Sequence, residues 1–285
     1  MRRIVLILSS QESTSRRRSL MVDALGLSKK LGSELLILAL EPEEAKLSQL
    51  WIRQVSRVQK ESGSEVPVIW IQRNSDLDQI ISVIREKNPS LIILDRRLIL
   101  SVLGNNTSKG DQKNWRDLIT QLEVPLLIMS TNHSVLNLQS VLVPMSGEVR
   151  VSKALEWSIR FANRVELPLD LIHVTREASQ QPDQVLDFSL LGRGCDEFHH
   201  EYPSLVAEFL AQASPYSSLR ERRVIRRFSH CSGRELAEIL RFGEALSQPI
   251  LVVEWKGNLG RGRSQVVRGV LQCSDWPIVL LRESH

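Results

Sequence analysis

Short, nearly continuous apolar runs recur along the chain and alternate with segments whose apolar residues have helical spacing. Five runs, predicted as strands, lie at 4–8, 35–40, 66–71, 91–94 and 125–129, and five more at 141–145, 169–174, 223–228, 250–253 and 278–281. Within these runs, apolar residues mostly follow one another instead of alternating with polar ones. Strands of that kind are buried on both faces, as in parallel sheets covered by helices. The pattern therefore predicts an α/β fold with parallel sheets.

The alternation occurs twice, in the order β-α-β-α-β-α-β-α-β, within the 285 residues of the chain. In each half the first two strands start about 30 residues apart, which is the length of one βαβ unit. Both halves also end alike, because at 124–128 and at 276–280 a proline separates one hydrophobic residue from the last apolar run. A repeat on this scale predicts two similar domains, which we place at 1–133 and 137–285, with the boundary in the polar stretch 130–134.

Two segments depart from the regular alternation. In the first half, 95–113 follows the fourth strand and is predicted to be a long loop, because it contains glycines and polar residues. In the second half, 176–201 follows the second strand and is predicted to be a polar insertion.

Glycines and arginines cluster after the fourth strand of the second half. The chain reads Gly257, Asn258, Leu259, Gly260, Arg261, Gly262, Arg263 and Ser264, with Gly269 further on. Between a parallel strand and a helix, backbone N–H groups converge and the helix terminus favours negative charge. Guanidinium groups also pair well with phosphate. The cluster predicts an anion site; the alternative is that its glycines serve only a tight strand-to-helix turn.

The corresponding segment of the first half, Asp95 to Leu100, has no closely spaced glycines. Its bulky residues would deny phosphates a close approach to the backbone. The three arginines at 16–18 lie where the mouth of the first crevice is expected. They either attract an anion there or form the solvated start of a helix.

Composition and charge exclude several functional classes. The net charge is only +4, and no stacking aromatic residues alternate with the arginines at 220–227, which argues against nucleic-acid binding. No apolar run approaches the roughly 18 residues of a membrane span, so no membrane insertion is expected. Residues 1–8 read as a strand followed by a polar loop, not as a signal peptide, so we expect a cytosolic protein.

Nothing in the sequence predicts a metal centre or a catalytic group. The three cysteines, Cys195, Cys231 and Cys273, are too widely spaced for a CxxC site. Four of the six histidines, at 173, 199, 200 and 230, are candidates for a metal set, but their spacing matches no metal-binding motif. No nucleophile motif and no orienting partner for an acid–base pair is present. We expect neither a metal nor an enzymatic activity.

Several segments resemble the universal stress protein family. They are the strand, loop and helix residues at 141–147 and 153–156, the strand residues at 171–174, the glycine-containing 257–260, and 273–278 before the last strand. In order and spacing of elements, the whole chain resembles a tandem universal stress protein. The resemblance implies two flavodoxin-like (adenine nucleotide alpha hydrolase-like) domains, each a five-stranded parallel sheet of order 3-2-1-4-5. It also implies pairing of the domains through their last strands as an intramolecular pseudo-dimer, with a homodimer as a further expectation.

In many members the family binds ATP, so the resemblance implies ATP or another adenine nucleotide as a candidate ligand. The family's phosphate loop has the pattern G-x2-G-x9-G-[S/T], which Gly257 and Gly260 match. Gly269 follows after eight residues instead of nine, and Val270 stands where a hydroxyl is expected. Ser146 stands where an acidic residue contacts the adenine side, and Val174 matches the backbone position that adenine uses. The candidate ligand-binding residues are Ser146, Gly147, Val174, Gly257, Gly260, Arg261, Gly262, Arg263, Ser264 and Gly269.

These features predict a stress-response binding or signalling module with a degenerate nucleotide or anion site in the C-terminal half. One alternative is a slow ATP hydrolase that uses the same crevice, with Ser264 as the convenient hydroxyl for Mg²⁺ and water. A second alternative is a regulatory partner that acts in trans on a membrane transporter, because related domains are attached to such proteins.

Overall fold

A computed structural model describes residues 2–9, 12–40, 45–63, 65–71, 75, 77–103, 117–146, 152–175, 184–187, 210–212, 214–257 and 264–283. The strands are β1 (Arg3–Leu8), β2 (Glu34–Leu40), β3 (Val68–Ile71), β4 (Leu91–Asp95), β5 (Leu126–Met129), β6 (Ser140–Ser146), β7 (Leu169–Thr175), β8 (Gln184–Asp187), β9 (Ile225–Ser232), β10 (Pro249–Trp255) and β11 (Ile278–Arg282). The helices are α1 (Thr14–Lys30), α2 (Ala45–Ser62), α3 (Leu77–Glu86), α4 (Arg96–Leu103), α5 (117–121), α6 (Lys153–Val165), α7 (210–212), α8 (Leu219–Arg222), α9 (Glu235–Glu244) and α10 (Gln265–Cys273).

All described strands belong to one 11-stranded sheet, in the order β3-β2-β1-β4-β5-β11-β10-β6-β7-β9-β8. The first five strands are parallel and have the predicted order 3-2-1-4-5. The parallel strands of the second half repeat that order as β9-β7-β6-β10-β11. The two series meet where β5 pairs with β11 in antiparallel fashion, with Leu127 opposite Val279.

The second half contains a strand that the sequence did not predict. Within the expected polar insertion 176–201, β8 pairs with β9 in antiparallel fashion and adds an edge strand beyond the five parallel ones. An antiparallel edge on a parallel sheet is common, and it needs only a short strand. A four-residue strand has too little periodicity to stand out in a polar segment. The rest of 176–201 lies outside the described residues.

The prediction of a loop directly after β4 is wrong. Helix α4 begins at Arg96, and its Ile99 and Leu103 join the core. Oδ1 of Asp95 accepts a hydrogen bond from the amide of Arg97 at 2.7 Å, which satisfies an otherwise unpaired N–H at the helix start. Residues 104–113 of the predicted loop lie outside the described residues.

Helices cover both faces of the sheet, which explains the continuous apolar runs. On one face Ile4, Leu6 and Leu8 join a core with α1, α2 and α6. On the other face Val5 and Ile7 join a core with α3, α4, α5, α9 and α10. Among the described helices, none has both the length and the apolar character that crossing a bilayer requires.

The polar stretch predicted as the domain boundary joins β5 to β6 and is folded against α1. Ser130 Oγ accepts hydrogen bonds from the amides of Asn132 and His133 at 3.0 and 3.1 Å. Ser134 donates its hydroxyl proton to the carboxylate of Asp23 in α1. This connection is therefore anchored by side chains. The exact positions of the domain limits, 133 and 137, stay a prediction.

Candidate functional site

A crevice opens at the carboxyl ends of β6, β7 and β10, and it encloses about 140 Å³. β6 lies between β7 and β10, so strand order reverses there, and ligands of open α/β sheets bind at such a point. The apolar part of its described wall consists of Pro144, Met145, Ala154, Val174, Ile239, Val253, Val266 and Val267. The crevice therefore lies where the sequence predicted a ligand site.

The carboxylate residue Glu254, near the end of β10, is one of the polar residues that line the crevice. Its Oε1 accepts hydrogen bonds from the hydroxyl of Ser152 at 2.9 Å and from the amide of Ala154 at 2.7 Å. Both donors belong to the beginning of α6, where unpaired N–H groups favour an anion. The protein's own carboxylate therefore occupies an anion position at the start of this helix.

Two further carboxylate residues line the crevice, Glu235 from the first turn of α9 and Glu283 after β11. Among its described lining residues there are three glutamates and no lysine or arginine. Like charges repel, so these carboxylates by themselves disfavour phosphate groups and favour ligand groups that donate hydrogen bonds. Sequence reasoning missed Glu254, although a charged residue that follows four apolar strand residues at a carboxyl end was a usable signal.

Two of the predicted site residues are brought together by the sheet. Ser146 and Val174 are register partners on β6 and β7, and Val174 is 2% exposed and lines the crevice. The side chain of Ser146 and the whole of Gly147 lie outside the described part of the structure.

The glycine-rich loop is described only at its two ends. Gly257 has a φ of +69°, a backbone conformation that favours glycine, and a Cβ there would lie 2.8 Å from Nε of Arg282 and displace its guanidinium. Ser264 also adopts a left-handed conformation, at φ 52°, and its side chain makes no capping hydrogen bond to α10. Gly260, Arg261, Gly262 and Arg263 fall outside the described residues.

Gly269 has a packing role in the structure. It lies inside α10, and a Cβ added there would be 2.3 Å from Cδ2 of Leu236 in α9. Val266 and Val267 of the same helix line the crevice, whereas Gly269 does not. The absence of a side chain at Gly269 thus lets α9 and α10 approach each other closely.

In the first half, side chains fill the equivalent position. β4 corresponds to β10, and its final carboxylate, Asp95, is completely buried. Nε of Arg16 donates to Oδ2 of Asp95 at 2.5 Å, and Nη2 donates to the carbonyl oxygen of Ser130 at 2.6 Å. Arg16 therefore links the carboxyl ends of β4 and β5, and its guanidinium is already paired.

A second carboxylate lies buried beside this pair. Glu12 is 5% exposed, and its Oε2 accepts a hydrogen bond from the amide of Ser9 at 2.8 Å. Burial raises the pKa of Glu12 to about 8; the Ser9 hydrogen bond opposes this shift and the charge of Asp95 adds to it. The first crevice is thus occupied by the chain's own charged groups.

The other two arginines at 16–18 also have internal partners. The guanidinium of Arg17 lies 4.3 Å from the ring centroid of Trp51, a cation–π contact. Arg18 pairs with the carboxylate of Glu61 at 2.9 Å. Arg16 and Arg17 are both buried. They therefore form neither the solvated helix start nor the open anion site that the sequence suggested as alternatives.

No group of three or more His, Cys, Asp or Glu side chains suited to a metal ion occurs among the described residues.

No family model matches the chain, and no curated protein sequence matches it. The similarity is found among solved structures. A protein described as a universal stress protein from Pseudomonas aeruginosa UCBPP-PA14 has a TM-score of 0.60 at 14% identity, with coverage of 99% of this chain and 93% of that one. A universal stress protein from Archaeoglobus fulgidus DSM 4304 has a TM-score of 0.59 at 15% identity, with coverage of 98% and 96%.

The chain has the universal stress protein fold. The similarity extends over nearly the full length of both proteins in each comparison. The same fold relates the chain to the cytoplasmic domain of a prokaryotic cation chloride cotransporter, with a TM-score of 0.52 at 10% identity and coverage of 98% and 94%. Within this fold, the crevice of β6, β7 and β10 lies at the topological switch point of the second half, where the strand order reverses.

Proposed function

We propose that the chain is a cytosolic tandem universal stress protein that acts as a stress-response binding module. Its two halves form an intramolecular pseudo-dimer through β5 and β11, and the second half carries a degenerate nucleotide site. The observation that supports this proposal most strongly is the difference between the two crevices. The second is open over about 140 Å³, whereas Arg16 and Asp95 fill the position in the first.

The charges of the second crevice favour the nucleoside part of an adenine nucleotide. Glu235, Glu254 and Glu283 supply acceptors for ribose hydroxyls or a ring amino group, while the valines supply an apolar wall for a ring. A triphosphate would meet the same three carboxylates and be repelled. We therefore propose that adenosine binds more tightly than ATP.

A binding role fits the surroundings of Ser152 better than a catalytic one. Its hydroxyl oxygen accepts the amide proton of Leu155 at 3.1 Å as the cap of α6, and its own proton goes to Glu254. A nucleophilic serine needs a base that takes its proton and space for an incoming carbonyl or phosphoryl group. A carboxylate does accept the Ser152 proton, but the hydroxyl oxygen itself is engaged as the acceptor that caps α6, so no covalent step is proposed.

Isothermal titration calorimetry with adenosine and ATP tests this proposal. We expect a dissociation constant for adenosine below about 100 µM, roughly −5.5 kcal/mol, and weaker binding of ATP. Glu235→Gln should strengthen ATP binding severalfold and change adenosine binding little, because only the phosphates respond to the removed charge. Glu123→Gln, at an exposed position outside the crevice, is the control that should alter neither. Absence of any heat with millimolar adenosine would contradict the proposal.

The arginines of the glycine-rich loop provide an independent test of the anion part of the site. If Arg261 and Arg263 hold the phosphates that ATP brings, replacing both by alanine should weaken ATP binding about tenfold or more. Adenosine binding should stay unchanged in the same variant. Equal losses for both ligands would mean that the loop only shapes the crevice.

A second candidate function is that of a regulatory partner of a membrane transporter. The similarity to a cotransporter's cytoplasmic domain, which covers 98% of this chain, favours it. Such a partner would act in trans. Affinity purification of the tagged chain from detergent-solubilised membranes should then recover one transporter in constant proportion, and recovery of no transporter would exclude this function.

A further inference from the structure

A second cleft lies between α6 and the amino ends of strands of the first half. It encloses about 320 Å³, more than twice the volume of the crevice described above. Its lining comes from both halves of the chain: Arg2, Ser90 and Leu91 on one side, and Trp157 and Arg164 among those on the other. None of its lining residues belongs to the crevice of β6, β7 and β10.

Three guanidinium groups converge on this cleft, from Arg2, Arg160 and Arg164, and no carboxylate is among its described lining residues. Partial loss of hydration next to the protein, and then the charges of Arg2 and Arg160, hold the pKa of the exposed Arg164 guanidinium below its ordinary value. Arg2 and Arg160 therefore both lie close enough to Arg164 to repel its charge. Such repulsion is relieved when an anion binds between them.

Among the described residues, the acidic groups near the cleft compensate one of the three arginines. Arg160 lies 3.5 Å from Oε2 of Glu156, and the charge of Arg160 also acts on Glu221. Glu156 is already engaged elsewhere, because it accepts hydrogen bonds from the Tyr216 amide at 2.8 Å and the Ser217 hydroxyl at 2.7 Å.

Arg2 and Arg164 leave their charges uncompensated within the described part of the chain. Both are exposed, and the side chain of neither has a hydrogen bond or an ion pair with a described residue. Their donors are therefore available to a ligand that enters the cleft.

A fixed aromatic wall accompanies the charges. The rings of Trp157 and Phe161 stack at 4.8 Å between centroids with 13° between their planes. Phe161 is 4% exposed, so the pair is held by the core and keeps its side of the cleft rigid. Arg160 and Arg164 extend from the same helix. Each lies three residues after one of the rings, a spacing that places all four side chains on one helix face.

We propose that this cleft binds a small anion that carries two or more phosphate charges, held between Arg2 and Arg164 with Arg160 as a third contact. Guanidinium groups bind phosphate oxygens through paired hydrogen bonds, and a multiply charged anion neutralises several of them at once. The ligand would contact both halves of the chain, so its binding would stabilise their association. The proposal does not depend on whether the other crevice binds a nucleoside.

Titration of the full chain with inorganic pyrophosphate, without metal ions, tests the site. Arg164→Gln should weaken binding at least about tenfold, as expected for the loss of one charge-assisted contact. The matched control is Arg85→Gln. Both arginines are exposed and lie in the last turn of a helix, so the two changes alter net charge and helix-terminal electrostatics alike. We expect Arg85→Gln to change binding less than twofold.

A second variant protects the test against misfolding. Arg2 lies outside any helix. Arg2→Gln should weaken pyrophosphate binding to a similar degree as Arg164→Gln. Without ligand, both variants should have melting temperatures no lower than that of the wild type. Equal affinity of Arg164→Gln and Arg85→Gln would overturn the proposal, as would the absence of wild-type binding at millimolar pyrophosphate. The phosphate groups could come from a lipid headgroup or from a soluble compound, and vesicles of phosphatidylcholine with and without phosphatidic acid distinguish these sources. If the vesicles with phosphatidic acid retain the wild type but not Arg164→Gln, the ligand is a lipid headgroup. If they do not retain the wild type, the ligand is a soluble phosphate.

Discussion

At the scale of single residues, the buried acid Glu12 makes the stability of the chain depend on pH. Its pKa is raised from 4.5 to about 8, so the folded chain keeps its proton over a range in which the unfolded chain has lost it. The free energy of unfolding should therefore fall as pH rises between these values, by ~1.4 kcal/mol per pH unit from this group. The stabilising contribution is complete below pH 4.5 and lost above pH 8.

Glu12→Gln isolates this effect, because the amide oxygen can still accept the hydrogen bond from Ser9. The variant should be more stable than the wild type at pH 8 and should lose less stability than the wild type between pH 5 and pH 8. Urea denaturation across that range measures both quantities. Glu65→Gln removes an exposed carboxylate and serves as the control. A wild type whose stability does not fall as pH rises, with Glu12→Gln parallel to it, would refute the role of Glu12.

At the scale of elements, the position of α9 depends on a glycine. A Cβ at Gly243 would lie 2.2 Å from Cη2 of Trp276, and a rigid ring cannot move aside as a methyl group can. We expect Gly243→Ala to lower the free energy of unfolding by about 1–3 kcal/mol, despite the higher helix propensity of alanine. Gly26→Ala is the matched control, because the contact there is with the methyl groups of Leu136, which can rotate. Thermal denaturation would contradict this account if the two variants lost equal stability.

The same helix links packing to the candidate site, since α9 carries Glu235 and Ile239 into the crevice. A displacement of α9 away from Trp276 should therefore also change ligand affinity. Adenosine titration of Gly243→Ala measures that second effect. Unchanged affinity in a destabilised variant would show that the strain at Gly243 does not displace the crevice end of α9.

The sequence predicted those elements that depend on local periodicity. Continuous apolar runs indicated the parallel strands. The family resemblance predicted Ser146 and Val174 as site residues, and the sheet makes them register partners. Contacts between distant residues could not be predicted. Arg16 reaches Asp95 across 79 positions, and Glu254 reaches Ala154 across 100, so their burial and pairing follow from tertiary structure. Helix α4 was missed because the sequence reads the same whether Asp95 starts a loop or caps a helix.

At the scale of the whole molecule, one sheet crosses both halves of the chain. The antiparallel pair β5–β11 places completely buried Leu127 and Val279 opposite each other. Further contacts across the same junction are the hydrogen bond from Arg96 to the carbonyl oxygen of Leu271 and that from Arg282 to the carbonyl oxygen of Thr120. We expect the two halves to unfold in a single cooperative transition.

Leu127→Ala tests this expectation. The loss of buried contacts should cost about 2–5 kcal/mol, and the transition should move to lower temperature while remaining single. Circular dichroism and tryptophan fluorescence should report the same midpoint in both proteins. Two separate transitions, only one of which shifts in the variant, would mean that the halves are stable independently of each other.

The central claim is that the second half has an open nucleoside crevice, whereas the first half is closed by its own side chains. Methyl NMR of the valine- and leucine-labelled chain during titration with adenosine measures this difference directly. We predict saturable shifts at Val174, Val253 and Val267, and none at Leu8 or Leu94, which lie at the corresponding strand ends of the first half. Shifts of comparable size at both sets of methyl groups, or at neither, would contradict the account.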